Sequence, residues 1–500
     1  MIWHIMRKDW KLFWPLVVGV ASINWIERIT NSSWSIFRER LAPSAMMLSF
    51  LGPLSLLAAA ILIVLVVQAD AIPGLCQDWL VRPVRRRDLL LSKLLFVSLL
   101  VQGPIFIAEV IQGLAAGFPL GQAIGAPLSR SLAMFMMFDL PVLAFAALTR
   151  NLLEAVGAAL AVAVGVTICI NANFSLHPEF MLDMSGGVSW VTDTVQTAWG
   201  TLAAAGLLSL LYFRRKTNPA RWIFGAATAV WLFAALLPWQ TAFAVQERFS
   251  SQPSAADTVR ISFEPNAANI RLEHEDLRQG GINRGPVQQV FVPVNVRGVG
   301  NGESLYADRA SARLAGPDGQ TFELGQAPQL HDFRGGAFHQ SIAVPQEIWN
   351  RVKDLPVRLE LDYSLTMLKA GPDHTIPAVG ANQWVPETGR CATRMNSDDT
   401  QIEFGCLAPG RTSCVITFIQ NARTGAITAQ DRDCRPDYAP YFGRLEGDSL
   451  SRTYANFLIQ GVKASELKDA QVVVRVYKPA VHFTRQVVIP NIKLGDWTAK

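Results

Sequence analysis

Motifs of the common hydrolases are missing from this chain. It contains no Gly-Lys dipeptide and therefore no Gly-x-x-x-x-Gly-Lys-Ser/Thr phosphate loop, and neither His-Glu-x-x-His nor Gly-x-Ser-x-Gly occurs. These absences exclude an ATP site of the phosphate-loop type, a zinc protease of that helix type and a nucleophile elbow. The seven histidines are scattered along the chain. We therefore predict that the chain is not an enzyme and needs no cofactor of its own.

Charged residues are scarce up to about Val245, where long apolar runs alternate with short polar loops. Beyond Gln246 the chain has the regular charges, Gly and Pro of a soluble protein. Because 500 residues are too many for one ordinary domain, we expect a membrane domain over 1–245 and a soluble domain over 246–500. The net charge of +5 lies in the membrane half, where basic loops report topology rather than nucleic-acid binding.

The apolar runs predict a membrane α-helical bundle of about seven transmembrane helices. A spanning helix needs roughly 20 mostly apolar residues. The candidate spans are Leu12–Ile26, Ala45–Val67, Leu94–Phe118, Ser131–Leu148, Leu152–Ile170, Thr194–Phe213 and Trp222–Val245. The first is the weakest candidate, because it is short and carries Asn24.

Basic residues in the loops give the bundle a direction. One set of loops is rich in Lys and Arg, at 7–11, 82–93, 150 and 214–221, whereas the opposite set holds Arg28, Arg38, Arg40 and Arg130. The positive-inside rule places the first set in the cytosol. The crossings that follow the loop 70–93 then put the C-terminal domain on the periplasmic or extracellular side of the cytoplasmic (inner) membrane.

The N-terminus has the pattern of an amphipathic helix. Its basic face holds His4, Arg7, Lys8 and Lys11, and its apolar face holds Trp3, Met6, Trp10 and Phe13. Such a helix lies in the membrane interface, in contact with lipid. The alternative is a simple positive flank to the first span.

Cysteine is rare, with six residues in the chain. Cys391, Cys406, Cys414 and Cys434 lie close together in the soluble half, which predicts disulfides formed in an oxidising compartment. Three pairings are open. The alternative is a zinc site, but such sites usually contain Cys-x-x-Cys pairs, and no such pair occurs. We therefore expect no metal.

After Val245 the periodicity changes from helical to alternating. Residues 290–296 and 357–365 alternate in the manner of half-buried strands. Further strands are expected near 259–263, 312–314, 414–419, 472–477 and 483–489, and a short helix near 345–352. Short strands separated by Gly/Pro turns predict an all-β, β-sandwich-like domain, in one or two modules that divide near 370–382.

Two acidic residues, Glu109 and Asp139, fall inside predicted spans. An ionised side chain there costs about 2.5 kcal/mol or more, so each must face the bundle interior, a cavity or a partner. The pair marks a substrate or proton pathway, or else makes structural polar contacts between helices. The sequence leaves both alternatives open.

The loop 70–93, between the second and third spans, carries the strongest local signal. Trp79 is an apolar residue in an exposed setting, and four arginines surround Pro83. An exposed aromatic residue beside an arginine cluster suits a protein interface. The alternative is positive-inside charge in contact with anionic lipid.

The opening segment Ile2–Trp10 and the segment Trp79–Lys93 together resemble the permease subunits of type-2 ATP-binding-cassette (ABC) transporters, mostly bacterial exporters. The resemblance covers about residues 1–245. It implies a homodimer or heterodimer of permeases and a separate cytosolic ATPase that docks on the N-terminal helix and the loop. By position, the docking residues are Asp78, Trp79, Arg82, Pro83, Arg85, Arg86, Arg87 and Asp88. The chain departs from the family in having seven predicted spans rather than six, and in its outer domain.

We therefore expect a permease subunit of an ATP-driven exporter, coupled to its ATPase through the loop 70–93. The alternative is a membrane-anchored binding or sensory protein whose β domain recognises a ligand, and which still binds or signals without ATPase activity. A membrane-anchored enzyme needs a catalytic constellation in 246–500, and the sequence offers none.

Overall fold

Helices come first and strands second in this protein, as the sequence predicts. The computed structural model describes residues 1–31, 51–70, 85–176, 189–214, 217–235, 239–251, 253–266, 287–327, 336–396, 400–409, 414–425, 427–434, 450–458 and 469–498. Among these, the helices of the first half end at Glu247 and the first strand begins at Arg260, with the 3-10 turn Pro253–Thr258 between them.

Eight helices form the described part of the first half. They are α1 (Ile2–Asn31), α2 (Leu51–Gln68), α3 (Arg86–Ala115), α4 (Leu120–Leu148), α5 (Leu152–Leu176), α6 (Ser189–Arg214), α7 (Thr217–Ala235) and α8 (Trp239–Glu247). Three of them contain π-helical turns: Val97–Gln102 in α3, Phe135–Asp139 in α4 and Leu210–Arg214 at the end of α6.

Four described segments are long and apolar enough to cross a membrane. They are Leu51–Gln68, Arg86–Ala115, Leu120–Leu148 and Val191–Arg214, while α5 contributes a shorter apolar run, Leu152–Ile168. Runs of this length and hydropathy identify a membrane protein. The larger number of seven crossings remains a prediction.

Two helix boundaries differ from the predicted ones. Arg130, predicted in a loop, is buried within α4, because this helix begins at Leu120 rather than at the predicted Ser131. The seventh predicted span, Trp222–Val245, falls on two helices. The first is α7, which ends at Ala235, and the second is α8, which packs against a strand of the second half. Hydropathy does not separate a lipid-facing apolar run from one that is buried against protein.

Thirteen strands and one short helix make up the described part of the second half. The strands are β1 (Arg260–Phe263), β2 (Val287–Arg297), β3 (Glu303–Ala315), β4 (Thr321–Ala327), β5 (Gly336–Pro345), β6 (Val357–Pro377), β7 (Asn382–Val385), β8 (Gly389–Met395), β9 (Gln401–Pro409), β10 (Cys414–Asn421), β11 (Ile427–Cys434), β12 (Leu450–Leu458) and β13 (Ala470–Ile492). The short helix, α9 (Gln346–Val352), lies where it is predicted.

The strands form three antiparallel sheets. Their orders are β1-β2-β5, β11-β10-β13-β6-β3-β4 and β12-β9-β8-β7. One apolar core fills the space between the three-stranded sheet and the six-stranded sheet, where Val292 of β2 and Leu361 of β6 are buried. A second core lies between the four-stranded sheet and the other end of the six-stranded sheet, around Phe404 and Val474. The predicted β-sandwich packing is therefore present twice.

The two sandwich cores share the strands β6 and β13, which are 21 and 23 residues long. The predicted division near 370–382 therefore does not separate two chain segments, since β6 continues through Ala370 to Pro377. The two strands predicted at 472–477 and 483–489 are one strand, β13. Pro479 is accommodated there beside a shift in strand register, which is where a proline is tolerated inside a sheet.

Candidate functional site

The predicted docking loop is described only from its C-terminal side. Asp78, Trp79, Arg82 and Pro83 lie outside the described residues. The remaining four, Arg85, Arg86, Arg87 and Asp88, stand at the start of α3, and the acidic side chain of Asp88 lies in its first turn.

The three arginines at this end of α3 differ in their surroundings. Arg85 and Arg87 are exposed. Arg86 is half-buried, and its Nη1 donates a hydrogen bond to the carbonyl oxygen of Phe213 in α6 at 2.9 Å. Arg86 therefore holds two helices together, whereas Arg85 and Arg87 are accessible to a partner.

A buried ion cluster lies beside this arginine segment. The Nζ of Lys93 in α3 donates to Asp9 Oδ2 in α1 at 2.7 Å, to Asp70 Oδ2 at 2.7 Å and to the carbonyl oxygen of Val66 in α2 at 2.8 Å. The Nζ of Lys8 lies 2.6 Å from the other oxygen of Asp70. Three acceptors match the three protons of the Lys93 ammonium, so this buried cation is fully satisfied.

The electrostatics of the ion cluster follow from its burial. Both Lys93 and Asp9 are fully buried, and burial raises the pKa of the Asp9 carboxyl despite the ammonium of Lys93 beside it. Burial acts in the same direction on Asp70, but the ammonium groups of Lys93 and Lys8 outweigh it, and the pKa of Asp70 is lowered. Two carboxylates and two ammonium groups leave the cluster without net charge.

The ion cluster connects α1 to both sides of residues 71–84. Asp70 immediately precedes this segment and Lys93 follows it by about two and a half helical turns, while Asp9 lies in α1. By sequence, Lys93 and Lys8 belong to the basic loop residues, and no pattern assigns a role to Asp9 or Asp70. The available signal was a lone carboxylate in a basic helix and a lysine inside an apolar helical run.

The N-terminal helix differs in part from its predicted form. The predicted interfacial helix and the first span are one continuous helix, α1, with Pro15 inside it. Trp3 and Trp10 are exposed, as are the basic residues Arg7, Lys8 and Lys11, but Met6 is buried against the bundle. The buried face of this segment therefore consists of Ile5, Met6 and Asp9, and its contact with lipid stays a prediction.

Asp139 and Gln102 meet in the interior of the bundle. Both stand at the end of a π-helical turn, Gln102 in α3 and Asp139 in α4, and Gln102 Nε2 donates to Asp139 Oδ2 at 2.5 Å. Both side chains are buried, and Asp139 Oδ1 has no hydrogen-bond partner among the described residues. π-helical turns are rare and often occur at functional sites. Each turn adds a residue and so rotates the next side chains around the helix.

Glu109 has an ionic partner. The Nη1 of Arg130 in α4 forms a buried ion pair with Glu109 Oε1 in α3. The ion pair connects the two helices of one hairpin. Of the two alternatives for Glu109, it therefore fits the structural polar contact between helices. The two acidic residues that the sequence grouped together therefore stand in different environments, since Asp139 is bonded to a neutral amide.

The cysteines of the C-terminal half occupy paired strands. Cys391 and Cys406 lie opposite each other on β8 and β9 and form a disulfide. Cys414 is also disulfide-bonded, and its register partner on β11 is Cys434. Of the three pairings that the sequence left open, only the one that contains 391–406 agrees with this disulfide. Within the described ranges, no group of three or more His, Cys, Asp and Glu side chains is arranged to hold a metal.

A buried polar chain joins α8 to the six-stranded sheet. The Thr366 hydroxyl donates to Asp308 Oδ2 at 2.5 Å, and its oxygen lies 2.8 Å from His482 Nδ1. The same Nδ1 atom is 3.0 Å from Gln246 Nε2 of α8. Burial raises the pKa of Asp308 to about 7 and lowers that of His482 to about 4, so the imidazole is neutral at pH 7.

The tip of the α3–α4 hairpin touches the four-stranded sheet. Phe118 stacks edge-on against Trp384 of β7, with ring centroids 5.4 Å apart. Arg390 of β8 donates to the carbonyl oxygen of Ala116 at 3.2 Å. Helix α3 thus carries Lys93 toward its N-terminal end, and the residues just after its C-terminal end contact the β domain.

Comparison with protein-family models, with curated proteins and with solved structures finds no significant match to the chain.

Proposed function

We propose that the chain is the membrane-spanning permease subunit of an ATP-driven transporter similar to the type-2 ABC exporters, and that a separate cytosolic ATPase docks on its segment 78–88. The observation that carries the proposal is the ion cluster of Lys93, Asp9, Asp70 and Lys8. It makes the N-terminal helix and both sides of the proposed docking loop one mechanical unit.

The mechanism follows from the rigidity of that unit. An ATPase that pushes on the loop displaces α1, α2 and α3 together, because separating any of them leaves a buried charge without its partner, which typically costs about 3–5 kcal/mol. The displacement of α3 then reaches Gln102 and its bond to Asp139 in α4. It also reaches the hairpin tip at Ala116 and Phe118, and through it the β domain.

Sidedness is part of the proposal. The ion cluster and the contact with the β domain lie at opposite ends of α3, a helix of 30 residues, or about 45 Å. That length is enough to cross a bilayer. With the arginine-rich end in the cytosol, the β domain lies on the periplasmic or extracellular side, where disulfides persist. Two copies of the chain, or this chain and a related permease, complete the transporter.

Charge reversal at the exposed arginines tests the proposal. Arg86 is left intact because it bonds to α6, and the variant Arg85→Glu/Arg87→Glu is compared with Arg150→Glu, an exposed arginine outside the loop. Each protein is purified from its native membrane in mild detergent, and accompanying chains are identified by peptide mass spectrometry. We expect a chain with a phosphate loop to accompany the wild type and Arg150→Glu but not the double variant.

Two results contradict the proposal. One is the absence of any phosphate-loop ATPase from the wild-type preparation, and the other is equal recovery of that ATPase with the double variant. A binding or sensory protein, the alternative function, retains its response when the ATPase is inactivated by mutation of its own phosphate-loop lysine.

A further inference from the structure

A cavity of about 250 Å³ opens between α4, α6 and α7. Its lining includes Met136 and Met137 from the π-helical turn of α4, Gly200 and Ala203 from α6, and Trp231 from α7. The four residues from α4 and α6 lie well inside the apolar segments Leu120–Leu148 and Val191–Arg214. The cavity is therefore at the depth of the hydrocarbon core rather than at a membrane surface.

The polar side chains around the cavity are largely engaged with the protein itself. Gln196 Nε2 donates to the carbonyl oxygen of Trp231 at 3.2 Å, and Trp199 Nε1 donates to that of Ala227 at 3.0 Å. The Thr197 hydroxyl donates to the carbonyl oxygen of Asp193 at 2.7 Å. What remains to contact an occupant is mainly carbon and sulfur, and no ionisable side chain is part of the lining that the structure describes.

The cavity communicates with the surroundings of the bundle. Two of its lining residues, Trp199 and Trp231, are 38% and 41% exposed. The lining extends from Gln196 to Leu207 along α6 and from Phe224 to Trp231 along α7, which corresponds to about 10–16 Å at 1.5 Å per residue. The cavity is thus elongated along the helices, and it opens at the lateral surface of the bundle, among apolar residues.

We propose that this cavity, named here the α4–α6–α7 pocket, binds one hydrocarbon chain of a membrane lipid. At hydrocarbon depth water is absent, and a void forfeits the dispersion contacts that a chain supplies to its walls. An ion or a sugar finds few polar partners in a lining that is mainly apolar, whereas an acyl chain needs none. The two methionines adapt their side chains to such an occupant. The proposal does not depend on an ATPase partner.

The π-helical turn of α4 gives the bound chain a connection to the buried polar pair. Met136 and Met137 line the pocket, and Asp139 of the same turn accepts the hydrogen bond of Gln102. In addition, the Thr201 hydroxyl of α6 donates to the carbonyl oxygen of Met136 at 3.3 Å. An occupant that pushes on this turn therefore acts on the α3–α4 contact.

Two glycines of α6 provide a matched test. A Cβ at Gly200 lies 3.8 Å from Trp231, in ordinary contact, so a larger side chain there extends into the pocket. A Cβ at Gly206 meets nothing within 4 Å, and this residue is exposed. The variants Gly200→Leu and Gly206→Leu have the same composition and the same gain in helix propensity, but only the first fills the pocket. Ala203→Phe and Ala205→Phe form a second pair of the same design.

The measurement uses the full chain in phosphatidylcholine–phosphatidylglycerol nanodiscs that contain a phospholipid with a diazirine on one acyl chain. After irradiation, labelled peptides are mapped by mass spectrometry. We expect label at Met136 and Met137 in the wild type, in Gly206→Leu and in Ala205→Phe. In Gly200→Leu and Ala203→Phe we expect it to fall by about fivefold or more, because a filled cavity has no room for a chain.

Three outcomes overturn the pocket. The first is label at Met136 and Met137 that is equal in the filled and control variants. The second is label confined to outward-facing residues such as Leu202, which is 69% exposed and contacts bulk lipid. The third is no label at the two methionines in the wild type, as expected if a helix of a second copy covers the pocket. None of these results bears on ATPase recovery, so the pocket and the proposed function are tested separately.

Discussion

Lys93 is the residue on which the ion cluster depends, because its ammonium contacts helix α1, helix α2 and Asp70 at once. Replacing it with methionine removes the hydrogen-bonded cation of Asp9, whose carboxylate is fully buried, and leaves only the ammonium of Lys8 at 3.8 Å from its other oxygen. We expect Lys93→Met to lower the free energy of unfolding by about 3–5 kcal/mol. Thermal unfolding of the purified chain, followed by tryptophan fluorescence, measures the change.

Lys8 provides the control for this prediction. It contacts the same carboxylate, Asp70, but its side chain is 50% exposed, and exposed pairs contribute at most about 1 kcal/mol. Lys8→Met is therefore expected to be nearly neutral, and Asp9→Asn/Lys93→Met to recover part of the loss. If Lys8→Met and Lys93→Met lowered the free energy of unfolding equally, burial of the lysine would not determine how much it stabilises the cluster.

Asp308 and His482 give the β domain opposing responses to pH. The raised pKa of Asp308, from 3.8 to about 7, makes a stabilising contribution that is present below pH 3.8 and lost as the pH rises to about 7. The lowered pKa of His482, from 6.5 to about 4, has the opposite effect, since stability is lost as the pH falls from 6.5 to 4. The two contributions cancel in part between about pH 4 and 6.5.

The substitution Asp308→Asn isolates the histidine, because asparagine still accepts a hydrogen bond from Thr366 and does not titrate. As the pH increases from about 4.5 to 6.5, we expect the melting temperature of the variant to increase by a few degrees more than that of the wild type. The reason is that only the His482 contribution then changes with pH. The control is Asp318→Asn, in an exposed turn. Its pH profile should run parallel to that of the wild type. A parallel profile for Asp308→Asn would show that the Asp308 carboxyl does not titrate in this range.

At the scale of elements, the disulfide 391–406 holds two short strands at the middle of the four-stranded sheet. Its sulfur atoms belong to the second sandwich core. The bond closes a loop of about 15 residues, for which the chain-entropy estimate is about 3 kcal/mol. We expect Cys391→Ala/Cys406→Ala to lose about that much stability in thermal unfolding of the full chain, and alanine avoids burying an unpaired hydroxyl.

Reduction provides the comparison for this double variant. Dithiothreitol also reduces the disulfide of Cys414, so it should lower the melting temperature of the wild type at least to that of Cys391→Ala/Cys406→Ala. Peptide mapping without reductant should recover a 391–406 bridge. Unchanged melting of the wild type under reductant, together with unbridged peptides, would contradict the prediction.

The elements also show which features a sequence can predict. The alternation of 357–365 corresponds to β6, whose residues 357, 359, 361, 363 and 365 are all buried, because side-chain direction in a strand depends on local period alone. The pairing of Asp139 with Gln102 was not predictable. It requires two π-helical turns, each of which changes helical phase without any signal in the hydropathy. The two strands predicted within β13 lie on either side of Pro479, and a proline inside a central strand ordinarily indicates a break.

Considered as a whole molecule, the protein has two ends joined by α3. One end holds the arginines and the ion cluster, and the other supports the β domain through Phe118 and Trp384. Loop charge and cysteine placement predict that the first end is cytosolic and the second is outside. The two predictions use different residues and different physics, so agreement between them in one labelling experiment would be a strong test of sidedness.

Single cysteines on the two ends provide that experiment. In a Cys76→Ser background, Ile427→Cys introduces a thiol at a β-domain residue that is 58% exposed, and Arg150→Cys introduces one at an exposed residue between α4 and α5. We expect a membrane-impermeant maleimide to label Ile427→Cys in intact spheroplasts, and to label Arg150→Cys only after permeabilisation. Cys391, Cys406 and Cys414 are disulfide-bonded and do not react while oxidised, and the unsubstituted background measures the labelling of the other native cysteines. The reverse pattern would place the arginine-rich end outside, and an ATPase in the cytosol would then have no docking segment on this chain.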